Sequence, residues 1–206
     1  MTIAEEHDAL ELLAPLHGAD TEELARLHSR LEQAAQREGI LDVAYDLHDT
    51  PVGTLLLAAT RAGLVRVAYV DGGHVDVLAT LAAAVSPRIL RAPHRLQDVA
   101  RQLDEYFAGT RTRFDVPLDF RLSHGFRREV LGHLAGIAYG RTESYAQVAQ
   151  AVGNAKAVRA VGSACATNPL PVVVPCHRVV RSDGTAGGYV GGAQAKRTLL
   201  SLESAA

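Results

Sequence analysis

The chain has 206 residues, 48% of them hydrophobic, with a formal net charge of -2, which suits one large domain or two small ones around a buried core. No apolar run is long enough to span a bilayer, and the acidic start lacks the basic flank of a signal peptide, so neither a membrane-spanning nor an exported protein is expected. The small total charge hides an asymmetry: residues 1–120 carry 11 Lys/Arg against 19 Asp/Glu, whereas residues 121–206 carry 10 against 4, so the second half is basic enough to suit a polyanion.

Residues 1–40 read as helical, with Leu10, Leu13, Leu24, Leu27 and Leu31 at helical spacing among many Glu. Gly18 ends one helix and Thr21 is placed to cap the next. His7, His17 and His28 lack the companions of a metal site and read as surface residues. From Leu41 the period changes. Val43–Leu47, Leu55–Ala59 and Leu64–Val70 read as three strands, with turns at Thr50-Pro51-Val52-Gly53 and Arg61-Ala62-Gly63 that predict a β-meander. Residues 74–84 and 95–108 read as helices, the second ending at Gly109, and Phe114–Leu118 as one more extended piece. Nothing in 41–120 looks catalytic.

Residues 124–136 read as a helix, broken by Ile137-Ala138-Tyr139-Gly140. Ser144 then opens a helix that stops at Gly153-Asn154, and another follows from Lys156 to about Ala166. Helix, short turn and helix is the pattern of a helix-turn-helix unit. The second helix is rich in small residues (Ala157, Ala160, Gly162, Ser163, Ala164, Ala166), with Arg159 the one long cation projecting beyond its opening Lys156. Small residues let a helix approach a surface closely, although the same run also fits a tightly packed core helix.

The most informative segment is Pro175-Cys176-His177-Arg178-Val179. It follows the apolar run Leu170-Pro171-Val172-Val173-Val174, read as a buried strand, and leads into Ser182-Asp183-Gly184 and the loop Gly187-Gly188-Tyr189-Val190-Gly191-Gly192. A thiol attacks as thiolate, and a basic neighbourhood lowers its pKa; Cys176 has an imidazole and a guanidinium beside it. An arbitrary Cys-His pair is more often a buried thiol next to a surface histidine. The only other cysteine is Cys165, read as a small packed side chain. Two cysteines make no disulfide framework, so a reducing, intracellular setting with a functional free thiol is expected.

The helix-turn-helix, Asn168-Pro169, the Pro-Cys-His-Arg-Val motif, the Gly-rich tyrosine loop and the closing Lys196-Arg197-Thr198-Leu199-Leu200 through Glu203 together resemble the O6-alkylguanine-DNA alkyltransferase family. The likeness is dense over 126–203 and weaker over 41–120. It implies an α/β domain over 41–120, a small antiparallel sheet with helices of ribonuclease H-like type. A mostly α domain over 121–206 with a winged-helix-like helix-turn-helix would follow, leaving 1–40 as an extension.

The resemblance implies transfer of an alkyl group from guanine O6 onto Cys176, once per molecule. In that reading His177 is the base, reached through a water because neighbouring side chains of an extended segment point apart. Glu203 orients the histidine. Tyr145 assists base extrusion and protonates the leaving guanine, and Asn168 ties the recognition helix to the nucleophile's segment. Arg159 fills the gap left by the flipped base, with Ala157, Gly162, Ser163 and Ser182 also at the DNA and the small residues suited to a minor groove. Val179, Tyr189 and Val190 line the guanine pocket.

The partner implied is double-stranded DNA containing O6-alkylguanine, met by a monomer in the cytoplasm, with no cofactor, metal or membrane. Val190 stands where many relatives carry Ser, Ala or Arg, and Val158 replaces a frequent Ala. The 137–140 break lacks the usual Pro and the chain has no Trp, differences read as matters of packing. The residues alone also admit a lesion-binding protein without transfer, a cysteine hydrolase with direct Cys–His contact, or a helix-turn-helix regulator. No Gly-rich signature for a soluble methyl donor is present.

Overall fold

The computed structural model describes residues 21–70 and 73–204. The expectations on Leu10, Leu13, Gly18, His7, His17 and the side chain of Thr21 lie outside the described residues. The chain divides into two compact units, Met1–Leu41 and Asp42–Ala206. In the first, helix α1 (Thr21–Arg37) opens with Glu22 and Glu23 and closes with Arg37, the charge order that the helix dipole favours. His28 is half-buried on it.

The second unit begins with the expected meander. Strands β1 (Val43–Thr50), β2 (Gly53–Ala59) and β3 (Leu64–Tyr69) pair antiparallel. A short strand not expected from the sequence, β4 (Ile89–Arg91), pairs parallel to β1, so the sheet is mixed, in the order β3-β2-β1-β4. It follows helix α2 (Val75–Ala84), which supplies the crossover that a parallel pairing needs.

Both faces of the sheet are covered. Leu56, Ala58, Val65 and Ala68 pack with Leu81 of α2, while Leu55, Leu57, Leu64 and Val67 enter the main core. Such two-sided burial explains why β2 reads as a continuous apolar run. Helix α3 (Gln97–Phe107), preceded by a 3-10 turn at Pro93–Leu96, sends Val99, Leu103 and Tyr106 into the main core. Of the expected extended piece at 114–118, only Leu118 makes a bridge, to Leu64 at the start of β3.

The helical part continues that core. Helix α4 (Gly125–Leu134) buries Val130, Leu131 and Leu134. Strand β5 (Glu143–Ser144) then leads into α5 (Tyr145–Ala151). Ser144 caps α5 through a reciprocal capping box with Gln147. Helix α6 (Val158–Ala166) completes the helix-turn-helix, burying Val161, Ala164 and Cys165, and α7 (Gly192–Ser204) ends the described chain.

One expectation is overturned. Leu170–Val174 is not a strand but a buried turn, closed by the Val174 amide on the Leu170 carbonyl at 2.8 Å. Pro169, Pro171 and Pro175 remove three backbone donors that a central strand would need. The β-branched run records full burial instead. Val172 even adopts φ +71, a strained conformation for such a residue. Cys176–Arg178 is accordingly a 3-10 turn, followed by β6 (Val179–Val180), which pairs parallel with β5. The segment before the helix-turn-helix and the segment after the cysteine are thus stitched together.

Candidate active site

The turn that replaces the expected strand is organised by Asn168. Its amide nitrogen donates to the Val174 carbonyl at 2.9 Å and to Cys176 Sγ at 3.1 Å, and its oxygen accepts from the Leu170 amide at 2.9 Å. The segment just past α6 and the Cys176 thiol are therefore fixed by one side chain. The turn also leans on the sheet: the Val67 amide of β3 donates to the Pro169 carbonyl at 2.8 Å.

Cys176 is only 1% exposed. Burial pushes its thiol up to about 11, although the Asn168 bond and the Lys196 charge pull the other way. This corrects the expectation that neighbouring basic groups give a ready thiolate: the resting group is a thiol. Arg178 does not serve it, because its guanidinium is spent elsewhere. Nε and Nη2 reach the two oxygens of Glu203 at 2.9 and 2.8 Å, and Nη1 donates to the Ile137 carbonyl.

Glu203 is the hub. Its Oε1 also accepts from His177 Nε2 at 2.8 Å and from the Tyr106 hydroxyl at 2.7 Å, and its Oε2 takes the Gly140 amide at 3.3 Å. Burial alone would raise its pKa, yet the bonds from His177, Arg178 and Tyr106 outweigh it and hold the carboxyl at about 2. The carboxylate assigns the imidazole proton to Nε2. Burial lowers the His177 pKa against the pull of Glu203, so the ring is neutral. Its Nδ1 is buried and has no partner among the described residues. The thiol's hydrogen bond is with Asn168 and not with the imidazole; direct Cys–His contact, which a hydrolase needs, is missing although the segment is not extended. An unpartnered Nδ1 is where a bridging water would be satisfied.

Tyr145, first residue of α5, is half-buried, with its hydroxyl 2.9 Å from where a Cβ on Gly187 would stand. Gly187 has φ +63 and Gly191 packs so closely on Tyr69 that a Cβ would fall 2.3 Å from its ring. Both glycines are therefore demanded by the two tyrosines. Tyr189 stands edge-on to His177 with ring centroids 6.2 Å apart, and its hydroxyl meets that of Tyr69 at 3.1 Å.

Val179 is buried, its carbonyl accepting from Lys196 Nζ at 2.6 Å, while Val190 is 41% exposed. On α6, Arg159 and Ser163 are exposed and Gly162 half-buried, as is Ala157 at its N-cap; Ser182 is exposed in the turn beyond β6. These five stand apart from the buried network. No group of three or more His, Cys, Asp or Glu able to hold a metal occurs among the described residues.

Sequence reasoning missed Tyr106, Tyr69, the buried Lys196 and the engagement of Arg178. Only a buried tyrosine's need for a hydrogen-bond partner hinted at the first. The 137–140 break, read as a packing feature, bears on the chemistry, since Gly140 bonds Glu203 and Tyr139 lies 5.8 Å below the Arg178 guanidinium.

Two family profiles match the chain: the ribonuclease-like domain of 6-O-methylguanine DNA methyltransferase over residues 43–120, and its DNA binding domain over 125–205. The methylated-DNA–protein-cysteine methyltransferase of Mycolicibacterium paratuberculosis is 39% identical over 161 residues, covering 78% of this chain and 92% of that one. The constitutive enzyme of Bacillus subtilis is 38% identical over 77% of this chain and 94% of its own length. The crystal structure of the Mycobacterium tuberculosis O6-methylguanine methyltransferase superposes with a TM-score of 0.70 at 36% identity, covering 79% of this chain and 93% of that one. The same enzyme in complex with DNA gives 0.69. The chain belongs to the 6-O-methylguanine DNA methyltransferase family. Its fold is that family's: a ribonuclease-like domain with a small mixed sheet and a helical DNA-binding domain.

Proposed function

We propose that this protein repairs DNA by moving the alkyl group of O6-alkylguanine onto Cys176 in a single turnover. The observation that carries this reading is the buried thiol held by Asn168 beside a neutral histidine whose one nitrogen is anchored on Glu203 and whose other nitrogen is free. The thiol proton passes through a water to His177 Nδ1. Sγ then attacks the alkyl carbon, the carbon–O6 bond breaks with its electron pair going to O6, and the guanine anion takes a proton from Tyr145 as it leaves. A thioether on Cys176 and a normal guanine result. Formation of imidazolium is favoured by Glu203, and the developing thiolate by Asn168 and Lys196.

The target oxygen is inaccessible in a duplex, so the nucleotide must flip. Arg159, exposed on α6 without an ion pair among the described residues, enters the vacated stack, and the small residues beside it let the helix approach the groove. Because Cys176 is nearly sealed, the Gly187–Gly192 loop must yield for guanine to enter between Val179, Tyr189 and Val190.

The test is incubation with a duplex carrying one O6-methylguanine, followed by mass mapping of the Cys176 peptide. One methyl group per protein on Cys176, absent in Cys176→Ala although that variant still binds DNA, supports the reading. Binding without a mass change, or repeated turnover, overturns it. Arg159→Ala is expected to lose transfer on the duplex and keep it on the free base; equal loss on both contradicts the role given to Arg159.

A further inference from the structure

Tyr106 lies near the end of α3, in the domain whose sequence shows no chemistry. Its ring is fully buried and packs edge-on to Phe107 at 5.2 Å and to Tyr139 at 6.0 Å. Its hydroxyl donates to Glu203 Oε1 at 2.7 Å and stands 3.5 Å from His177 Nε2. Burial, and then the charge of Glu203, push its pKa far up, so the hydroxyl is a neutral donor. Oε1 consequently accepts from Tyr106, His177 and Arg178 together, a set of donors that leaves the carboxylate little freedom to rotate.

We propose that Tyr106 is a positioning residue for alkyl transfer: its hydroxyl holds Glu203 Oε1 on the His177 Nε2–H and so keeps Nδ1 the nitrogen that takes the thiol's proton. This rests on the reading of Cys176 as the acceptor. The hydroxyl also drains charge from the carboxylate, limiting how far Glu203 favours imidazolium. His177 is faced by Glu203 and Lys196 from α7, by Tyr106 from α3, by Tyr189 from the Gly-rich loop, and by Cys176 and Arg178 on its own turn. Glu203 is faced by Tyr106, Tyr139, His177, Arg178 and the Gly140 amide. Of the uncharged hydroxyls in these sets, only that of Tyr106 bonds the carboxylate.

The experiment is single-turnover transfer from the O6-methylguanine duplex across pH, by the full-length wild type, Tyr106→Phe, and Phe107→Leu as a packing control. Tyr106→Phe is expected to place one methyl group on Cys176 at a rate lower by on the order of ten-fold at neutral pH. Its acid limb should move to higher pH, because a carboxylate with one donor fewer favours imidazolium more. Phe107→Leu should lose stability with its limb unmoved. A wild-type rate and limb in Tyr106→Phe overturns the proposal, as does slowing with an unmoved limb. A wild type that transfers nothing condemns the underlying reading instead. Should Tyr106→Phe not fold, nitrogen chemical shifts of His177 in the wild type decide: protonation at Nε2 is required, and a proton on Nδ1 overturns the proposal.

Discussion

The sheet region, 43–107, and the helical region, 125–204, both place side chains on the Cys176 network, but they contribute different chemistry. The helical region supplies Cys176, His177 and every formal charge: Glu203, Arg178 and Lys196. The sheet region supplies neutral groups, namely the hydroxyls of Tyr106 and Tyr69 and the Val67 amide. Charges in a dry interior must be compensated at short range, and a compact turn with its adjoining helix does this most reliably. A neighbouring domain can then fill remaining acceptor sites without adding charge. Absence of motif residues from a domain therefore says little about whether it touches the chemistry.

The sharpest way to break this contrast is to remove a charge. Arg178→Ala leaves Glu203 buried with its main counter-ion gone, and the expected loss is about 3–5 kcal/mol of unfolding free energy, read from urea denaturation. A loss no larger than that of a hydroxyl deletion in the sheet region would erase the distinction. Acid titration makes a smaller demand on the same network. His177 has its folded pKa below the ordinary 6.5 and Glu203 below the ordinary 4.5, at about 2. In both cases the unfolded chain binds more protons, so their stabilisation is complete above pH 6.5. The histidine's share fades as pH falls below 6.5, and the carboxylate's between 4.5 and about 2. Thermal melts should show this decline, and His177→Gln should remove its upper part. A melting temperature flat from pH 7 to 4 would contradict the buried neutral imidazole.

The contrast also explains what the sequence disclosed. The meander, the helix opened by Ser144, and the helix-turn-helix are local patterns, and each occurs where periodicity and turn residues placed it. Leu170–Val174 misled because a continuous apolar run reports burial and not conformation; the three prolines were the contrary signal. Strand β4, of three residues, is too short to show a period. At the site, Cys176, His177, Asn168 and Glu203 were legible through the family resemblance, and they form two adjacent hydrogen-bonded pairs, Asn168 with Cys176 and His177 with Glu203. Tyr106 was not. Its bond to Glu203 spans 97 positions, and nothing local distinguishes a tyrosine that packs from one that also donates. The thiol's raised pKa was misjudged for the same reason: the basic neighbours in sequence are turned to Glu203, and burial dominates.

The mildest change separates the two tyrosines of the sheet region. Tyr69 is pushed up to about 12, chiefly by burial, so it too is a neutral hydroxyl, but it bonds Tyr189 and not the carboxylate. Tyr69→Phe should cost about 1 kcal/mol and slow transfer by no more than about five-fold, with the acid limb where the wild type has it. Gly191→Ala should be worse, since the new methyl group meets the Tyr69 ring. Tyr69→Ala should relieve it, a coupling that a double-mutant cycle on transfer rate can read. If Tyr69→Phe moved the acid limb as Tyr106→Phe is expected to, the shift would come from general loosening of the sheet region, and no special role for the Tyr106–Glu203 bond would be needed. An unmoved limb in one tyrosine variant and a displaced limb in the other would assign the proton chemistry to Tyr106 and the shape of the guanine cleft to Tyr69.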